Sequence, residues 1–474
     1  MSDRTPHRTP RRLPLSAAQT GIWFAHDLDP TGRRYSIAEY KEIHGPVDPE
    51  RMAAAWYRLA CEADALRIAR VERDEHGLWQ IVDPDPGSRA LELIDVTDRP
   101  DPEAAAHSWM AADLRTPVDL AAGALNTFAL FKLAEDRFFY YQRYHHIVID
   151  GLGVALLDAR ISELYEQSAA GVSWEPGPFG PLADLLAEDA AYRGSPAAAE
   201  DSAHWAGHLA GVPDTPRLAE RPQSEPAAAH AEPFVRRSVL LPAADAGRLR
   251  AAARAAGTRW SILLIALTAA YVHRVTGRDE LVLGLPVTGR TTPLARRTPG
   301  MCSNVVPLRL RVRPETRLGE LVPAVAAEVR SALRHQLSRY EDLCRDLGAH
   351  GTGRRIAAPM VNIMAFEPGL RFGGHFTTQH NLSNGPVDDL SVGIYDLGED
   401  QGLRITFDAA PETCDPEAAA AHQDRFLRFV TEALDRPELP VGWRWARGVC
   451  PAVCPPASRV RCVRSPGGSV SARA

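Results

Sequence analysis

The chain has 474 residues, 45% of them hydrophobic and 24% charged, and a formal net charge of −6. This is the composition of a globular protein long enough for two lobes. The acidic balance argues against nucleic acid or an anionic membrane as the main partner.

No apolar run reaches the roughly 18–20 residues a membrane helix needs; the longest, Trp260–Val275, is broken by His273 and Arg274. The basic N-terminus lacks the apolar core of a secretory signal, so a cytoplasmic location is expected. Cys61, Cys302, Cys344 and Cys414 stand singly and read as reduced structural thiols. Cys450, Cys454 and Cys462 crowd the tail without a clear fourth ligand, so no metal site is expected.

In chain order, Ser16 can cap a first helix carrying Ile22, Trp23 and Phe24. A second helix begins near Pro49. The segments "LNTFALFKL" and "RFFYYQRYHH" flank "AEDR" and predict a hairpin, with a helix "GVALLDARISELYEQSAAG" at once behind it. Residues 176–232 are rich in Pro, Ala and Gly and read as a crossover, with one short helix at "SAHWAGHLAGV". A second set follows. It has a strand "FVRRSVLLP", two helices closing on Gly257 and Gly277, and strands "ELVLGLPV" and "NVVPLRLRVRP". A helix "LGELVPAVAAEVRSALRHQ" comes next, in which Pro323 is tolerable only near the first turn. Three strands and a terminal helix "PEAAAAHQDRFLRFVTEALD" complete it.

The expected organisation is therefore an N-terminal lobe over 13–175, a crossover over 176–232, a C-terminal lobe over 233–441 and a tail over 442–474. The tail loses all periodicity and reads as disordered. Its abrupt change of character is read as translation in a shifted frame rather than a linker, which the alternative frames after the Val441 codon would test. Adenylation and carrier segments are not visible, so the chain reads as an excised domain or a truncated synthetase.

The stretch "YYQRYHHIVIDGLG" carries the chemistry. Successive strand side chains point to opposite faces, so His145 and His146 should not share a metal. One can be held inside while the other faces a cleft and acts as a base near neutral pH. Asp150, where the chain turns into a helix, can cap backbone N–H groups or pair with an arginine. Gly151 permits the torsions of such a turn. No G-x-S-x-G, P-loop or dinucleotide fingerprint occurs. A histidine without a protein nucleophile suggests direct transfer, in which one substrate attacks an activated carbonyl on another.

"HHIVIDG" resembles the H-H-x-x-x-D-G motif of nonribosomal peptide synthetase condensation domains, relatives of chloramphenicol acetyltransferase. "LSAAQTGIW", "ADALR", "GMCSNVVPLRLRV", "RHQLSRYEDL" and "APMVNIMAFEP" resemble other motifs of that family in its order. "YYQRYHH", "GPVDDL" and "PMVNI" resemble its siderophore-assembling members. The resemblance covers about Leu13 to Val441. It implies two chloramphenicol-acetyltransferase-like α/β-sandwich lobes forming a V-shaped pseudo-dimer with a central tunnel. It also implies amide formation between two thioesters on the 4'-phosphopantetheine of donor and acceptor carrier proteins. His146 is implied to be the catalytic residue, with His145, Asp150 and Gly151 holding its loop.

No permanently bound cofactor or metal is expected. The chain is expected to act as a monomer, with carriers docking transiently and adenylation domains of the same assembly line as partners. Glu62-Ala63-Asp64 departs from the family's usual Arg-His-Glu, so the partner of Asp150 is left among Arg67, Arg143 and Arg290. Gln19, Trp23 and His335 read as packing residues. Asn304 either shapes the tunnel floor or turns the chain, and Asp388-Asp389 reads as structural. The alternatives are a free-standing acyltransferase using a soluble acceptor, and a noncatalytic recruitment module. Epimerisation domains share the histidine motif and rank lower.

Overall fold

The structure, a computed structural model, describes residues 9–86, 90–214, 218, 235–349, 356–364, 369–387, 389–398, 402–411 and 414–443. The tail beyond 443, with Cys450, Cys454 and Cys462, lies outside the described residues, as does Asp388.

The histidine stretch is the end of a buried hairpin. Asn126–Ala134 and Arg137–His145 pair antiparallel across a two-residue turn. They belong to a six-stranded sheet ordered Arg371–Phe372, His375–Asn384, Ser36–His44, Arg137–His145, Asn126–Ala134, Glu92–Asp95. Strand alternation sorts the side chains into two apolar layers. Tyr140 and Tyr144 join Trp56, Leu157 and Ile161 on the side of helices Pro49–Glu62 and Gly151–Ala169. Phe139 and Tyr141 join Ala106 and Met110 of helix Pro102–Leu114 on the other. A three-stranded sheet of Arg11–Pro14, Gly77–Val82 and Ile68–Asp74 flanks this lobe.

The second six-stranded sheet is ordered Asn304–Arg311, Glu280–Val287, Met360–Met364, Leu390–Asp396, Leu403–Ala409, Val235–Leu241. Helices Ala243–Ala255, Trp260–Thr276, Leu318–Arg334 and Pro416–Asp435 share its core. Trp260–Thr276 is apolar nearly all round because it is buried nearly all round. No single helix among the described residues is long and apolar enough to cross a membrane.

Three expectations change. Residues 176–214 of the crossover are structured: helix Leu182–Arg193 buries Leu182, Leu185 and Leu186 in the first core, and helix Pro196–His208 buries Trp205 in the second. The short helix expected at 202–212 thus starts earlier, where Ser195 caps the backbone N–H of Ala198. Next, residues 233–441 do not all belong to the second lobe. Strands Arg371–Phe372 and His375–Asn384 cross over and complete the first sheet, pairing with Ser36–His44. The open edge of Ser36–His44 would otherwise be unpaired backbone, and the polar "HFTTQHNLSN" strand covers it. Finally, helix Leu318–Arg334 runs a full turn ahead of Pro323, which therefore lies inside it. The lost backbone bond there is offset by the buried apolar stripe Leu318, Leu321, Val322, Val325 and Val329.

Candidate active site

The two adjacent histidines do face different ways. His145 ends the strand, is fully buried, and accepts the N–H of Ile147 on Nδ1 at 3.2 Å. Its Nε2 must then carry the hydrogen, and it meets Nδ1 of His26 at 3.2 Å. Burial, with His26 beside it, pushes the His145 imidazole well below its ordinary range, so it is a neutral structural group.

His146 is the first residue past the strand. Its N–H donates to the carbonyl of Tyr35 at 2.7 Å, which continues the pairing with the neighbouring strand. Its ring Nδ1 lies 3.0 Å from the carbonyl oxygen of Ile149. A carbonyl only accepts, so Nδ1 holds the hydrogen and the neutral ring keeps its lone pair on Nε2. Burial lowers the basicity of His146, and the Asp150 carboxylate partly opposes this.

The loop 147–150 is tied from several directions. Gln19, on the first helix, donates to the carbonyl of Ile147 at 2.9 Å and also bonds Gln80. Asp150 is the N-cap of helix Gly151–Ala169 and accepts the N–H of Gly153 at 2.8 Å. It also takes Nη2 of Arg290 at 2.9 and 3.1 Å and the backbone N–H groups of Cys302 and Ser303 at 2.8 and 3.0 Å. One carboxylate thus caps a helix of the first lobe and grips a loop of the second. Gly151 opens the helix, and Gly153 is where a Cβ would collide with the Ile149 side chain and crowd the Gly300 carbonyl.

Of the three candidate arginines, Arg290 is the partner. Arg67 is engaged by Asp64 and the carbonyls of Asp83 and Pro84, and Arg143 by Asp113. At the departing position, Glu62 meets Arg160 at 2.8 and 2.9 Å and Arg58 at 2.7 Å. Both Glu62 and Arg160 are nearly closed to solvent. Glu62→Arg is therefore expected to destabilise the first lobe by about 3 kcal/mol or more. The pair Glu62→Arg with Arg160→Glu should recover part of it, as read by urea unfolding.

Asn304, the first residue of its strand, holds the 336–340 segment: its Nδ2 donates to the carbonyls of Gln336 and Ser338, and its Oδ1 accepts from the Tyr340 N–H. His335 stacks on His204 with ring centres 3.8 Å apart and pairs with Asp201. Asp389 accepts the N–H of Leu218, and Trp23 packs against the first core.

His146 lines a cavity of about 160 Å³ between the lobes. The first lobe supplies Ile37, Tyr144 and Val154, and the second sheet supplies Val287, Ile363 and Tyr395. A second cavity of about 130 Å³ lies beside Gln19, Met301, Cys302 and Arg339. Burial, with Asp150 nearby, pushes the Cys302 thiol up to about 12, which removes it as a thiolate nucleophile near neutral pH. Among the described residues no group of three or more His, Cys, Asp or Glu is placed to hold a metal.

Three parts of the site were not read from the sequence. They are the N–H groups of Cys302 and Ser303, the brace from Gln19, and Gly385. Gly385 has φ +89, and a Cβ there would lie 3.2 Å from the His146 ring. The Asn384-Gly385 dipeptide was the available signal for that turn.

His26, His145 and His146 are all held below the ordinary imidazole range, by burial first in each case. Below about pH 6.5 the unfolded chain takes up protons that the folded chain refuses. The stability these groups contribute is present above that pH and is lost as pH falls. Thermal midpoints should decline from pH 7 towards pH 5. Replacing His145 with a neutral residue should flatten that decline, and an unchanged slope would contradict the assignment.

Two α/β lobes with a histidine loop clamped across their junction agree with the chloramphenicol-acetyltransferase-like arrangement that the family resemblance implied. The chain matches the condensation domain family over residues 10–444 and belongs to it. It is 41% identical over 428 residues to a dimodular nonribosomal peptide synthase of Bacillus subtilis, covering 90% of this chain and 18% of that protein. It is 41% identical over 442 residues to an isonitrile lipopeptide synthase of Streptomyces coeruleorubidus, covering 93% and 30%. Enterobactin synthase component F of Escherichia coli O157:H7 is 30% identical over 433 residues, covering 91% and 33%. The chain thus spans a third or less of the length of these relatives.

Among solved structures, a mutant starter condensation domain of rhizomide synthetase RzmA, in complex with C8-CoA and Leu-SNAC, is 38% identical. Its TM-score is 0.83, over 91% of this chain and 96% of that one. The first condensation domain of the calcium-dependent antibiotic synthetase, with a substrate analogue, is 33% identical with TM-score 0.83, over 92% and 99%. This chain is a condensation domain of the kind found in nonribosomal peptide synthases, a family that forms amide bonds.

Proposed function

We propose that this domain transfers a donor acyl or aminoacyl group from one carrier protein to the amine of an aminoacyl thioester on another, with His146 as the residue at the reacting atoms. The observation that carries this reading is the ring of His146, fixed through Nδ1 on the Ile149 carbonyl and set on a cavity walled by both lobes. In the step, the acceptor amine attacks the donor carbonyl carbon, the C–N bond forms and the C–S bond breaks. His146 Nε2 orients the amine and takes its proton, and the departing thiolate recovers that proton as the free phosphopantetheine thiol. No acyl group is attached to the protein.

Asp150 and Arg290 position the loop, and His145 anchors its start. Most of the rate comes from holding two tethered substrates in reacting geometry, worth up to about 7–11 kcal/mol for well-oriented partners. Proton transfer adds about 10²–10⁴-fold. Binding of C8-CoA and Leu-SNAC by a solved relative supports a donor acyl group paired with an amino-acid acceptor.

The test loads donor and acceptor carriers, adds the domain and follows condensed product on the acceptor carrier by intact-protein mass spectrometry. Product with a soluble amine but not with a tethered one would replace this reading with the free-standing acyltransferase. Carrier binding without product in any format would leave a recruitment module.

A further inference from the structure

The cavity that His146 lines is not walled by apolar residues alone. Away from His146, the strands Ser36–His44 and Arg137–His145 and the helix Gly151–Ala169 bring together Glu39, Lys41, Gln142 and Asp158, all buried. Lys41 bonds Glu39 and lies 2.5 Å from Asp158 Oδ2. Gln142 donates to Asp158 Oδ1 at 2.5 Å, and Gln379, on the strand that crosses from the second half, donates to Glu39 Oε2 at 2.6 Å. Glu39, Asp158 and Gln379 all line the cavity, whereas the Lys41 side chain is fully closed off.

Two carboxyl groups thus face one ammonium; burial, with Asp158 beside it and against the pull of Lys41, pushes Glu39 up to about 7. They share the cavity lining with apolar Ile37, Tyr144 and Val154 and with polar Asn381, Ser383 and Asn384. Glu39 is bonded by Lys41, Gln379 and Asp158, and Asp158 by Lys41, Gln142 and Glu39; carboxyl oxygens have two lone pairs each, which leaves acceptor capacity facing the cavity. Burying such a cluster is costly, and apolar residues of similar volume would pack there at least as stably.

The placement fits a reader for the end of an acyl chain. Ser36 pairs with His145 and Glu39 with Gln142, so the cluster lies three residues, or about 10 Å, along the strand from the histidine level. Asp158 lies eight residues beyond Asp150, about 12 Å along the helix. An apolar cavity of about 150 Å³ accommodates a six-carbon molecule, and this one has a similar volume. The acceptor's amine sits next to its own thioester, so it needs little depth past His146. The donor extends its whole acyl chain beyond the reacting carbonyl.

We propose that Glu39, Asp158 and Gln379 form a donor-selecting subsite for acyl groups of about six atoms ending in a hydrogen-bond donor, a hydroxyl or an amine. This rests on the amide-forming reading above and adds the donor's chemical class.

Donor carriers loaded with 6-hydroxyhexanoyl, 6-aminohexanoyl and the isosteric heptanoyl groups test it, in competition against one acceptor. A hydrogen bond to a charged group corresponds to about 10–100-fold in rate preference, so the hydroxy or amino donor should lead heptanoyl by that ratio. The hydroxy and amino arms distinguish which donor the subsite takes.

Glu39→Leu leaves Lys41 and Asp158 as a charge-balanced pair, and it should erase the preference. Gln379→Leu, at the cavity wall, should reduce it, with folding of both variants followed by circular dichroism melts. Heptanoyl transferred as fast as both polar donors by the unmodified domain would overturn this inference and leave amide formation standing. So would a preference unchanged in a folded Glu39→Leu. No product from any tethered donor would overturn the amide-forming reading and this one with it.

Discussion

His146→Ala is expected to lower condensation by about 10²–10⁴-fold while the domain keeps its fold. Among the described residues the ring makes one hydrogen bond, to the Ile149 carbonyl, so losing that bond should cost only about 1 kcal/mol of stability. The clamp around Asp150 survives, because its bonds come from Gly153, Arg290, Cys302 and Ser303 rather than from His146. A base and a positioning group differ in their pH profiles. The imidazole is held below its ordinary range by burial, so a rate that depends on neutral Nε2 should stay level through neutrality and fall only in acid. His146→Ala should lose that acid limb along with its rate. Condensed product measured by mass spectrometry across pH 5–8, beside thermal melts, checks both. Full activity in the variant, or a loss matched by unfolding, would remove His146 from the reaction.

The second large effect is expected from Asp150→Ala, at about 3–5 kcal/mol of stability. The Arg290 side chain is fully closed to solvent and that of Asp150 nearly so. Truncating the carboxylate strands a buried guanidinium and leaves the N–H groups of Gly153, Cys302 and Ser303 without their acceptor. Arg290 also donates to the carbonyls of Ala295, Thr298 and Gly300. Arg290→Lys is therefore not conservative, since one ammonium cannot span those acceptors. Activity should fall with Asp150→Ala because the loop carrying His146 loses its tie to the second lobe. Urea titration gives the stability change, and a double-mutant cycle with Arg290→Met isolates the pair. A cost under about 1 kcal/mol would show that the clamp is not what joins the lobes here.

How much of this was legible in the sequence depended on the range of the forces involved. The hairpin, the helix behind it and the cap at Asp150 are local, set by alternation, capping and turn chemistry within about twenty residues, and they were readable. The strand Ser36–His44 was not, because Glu39, Lys41 and Glu42 make it look solvated. They are satisfied by partners far along the chain, at Asp158, Gln379 and Arg137. The strand His375–Asn384 was missed for the same reason: its polar residues become a strand only by covering an open sheet edge.

By itself the sequence determined the family and the two α/β sets, and the pleat set the two imidazoles on opposite faces; the choice of His146 came from the family resemblance. Only the tertiary structure chose Arg290 over Arg67 and Arg143, because ion pairing is decided by which charges are enclosed together. It also set Gly385 against the His146 ring and placed two carboxyl groups on the cavity lining. Those contacts join residues more than a hundred positions apart, and no local pattern encodes them.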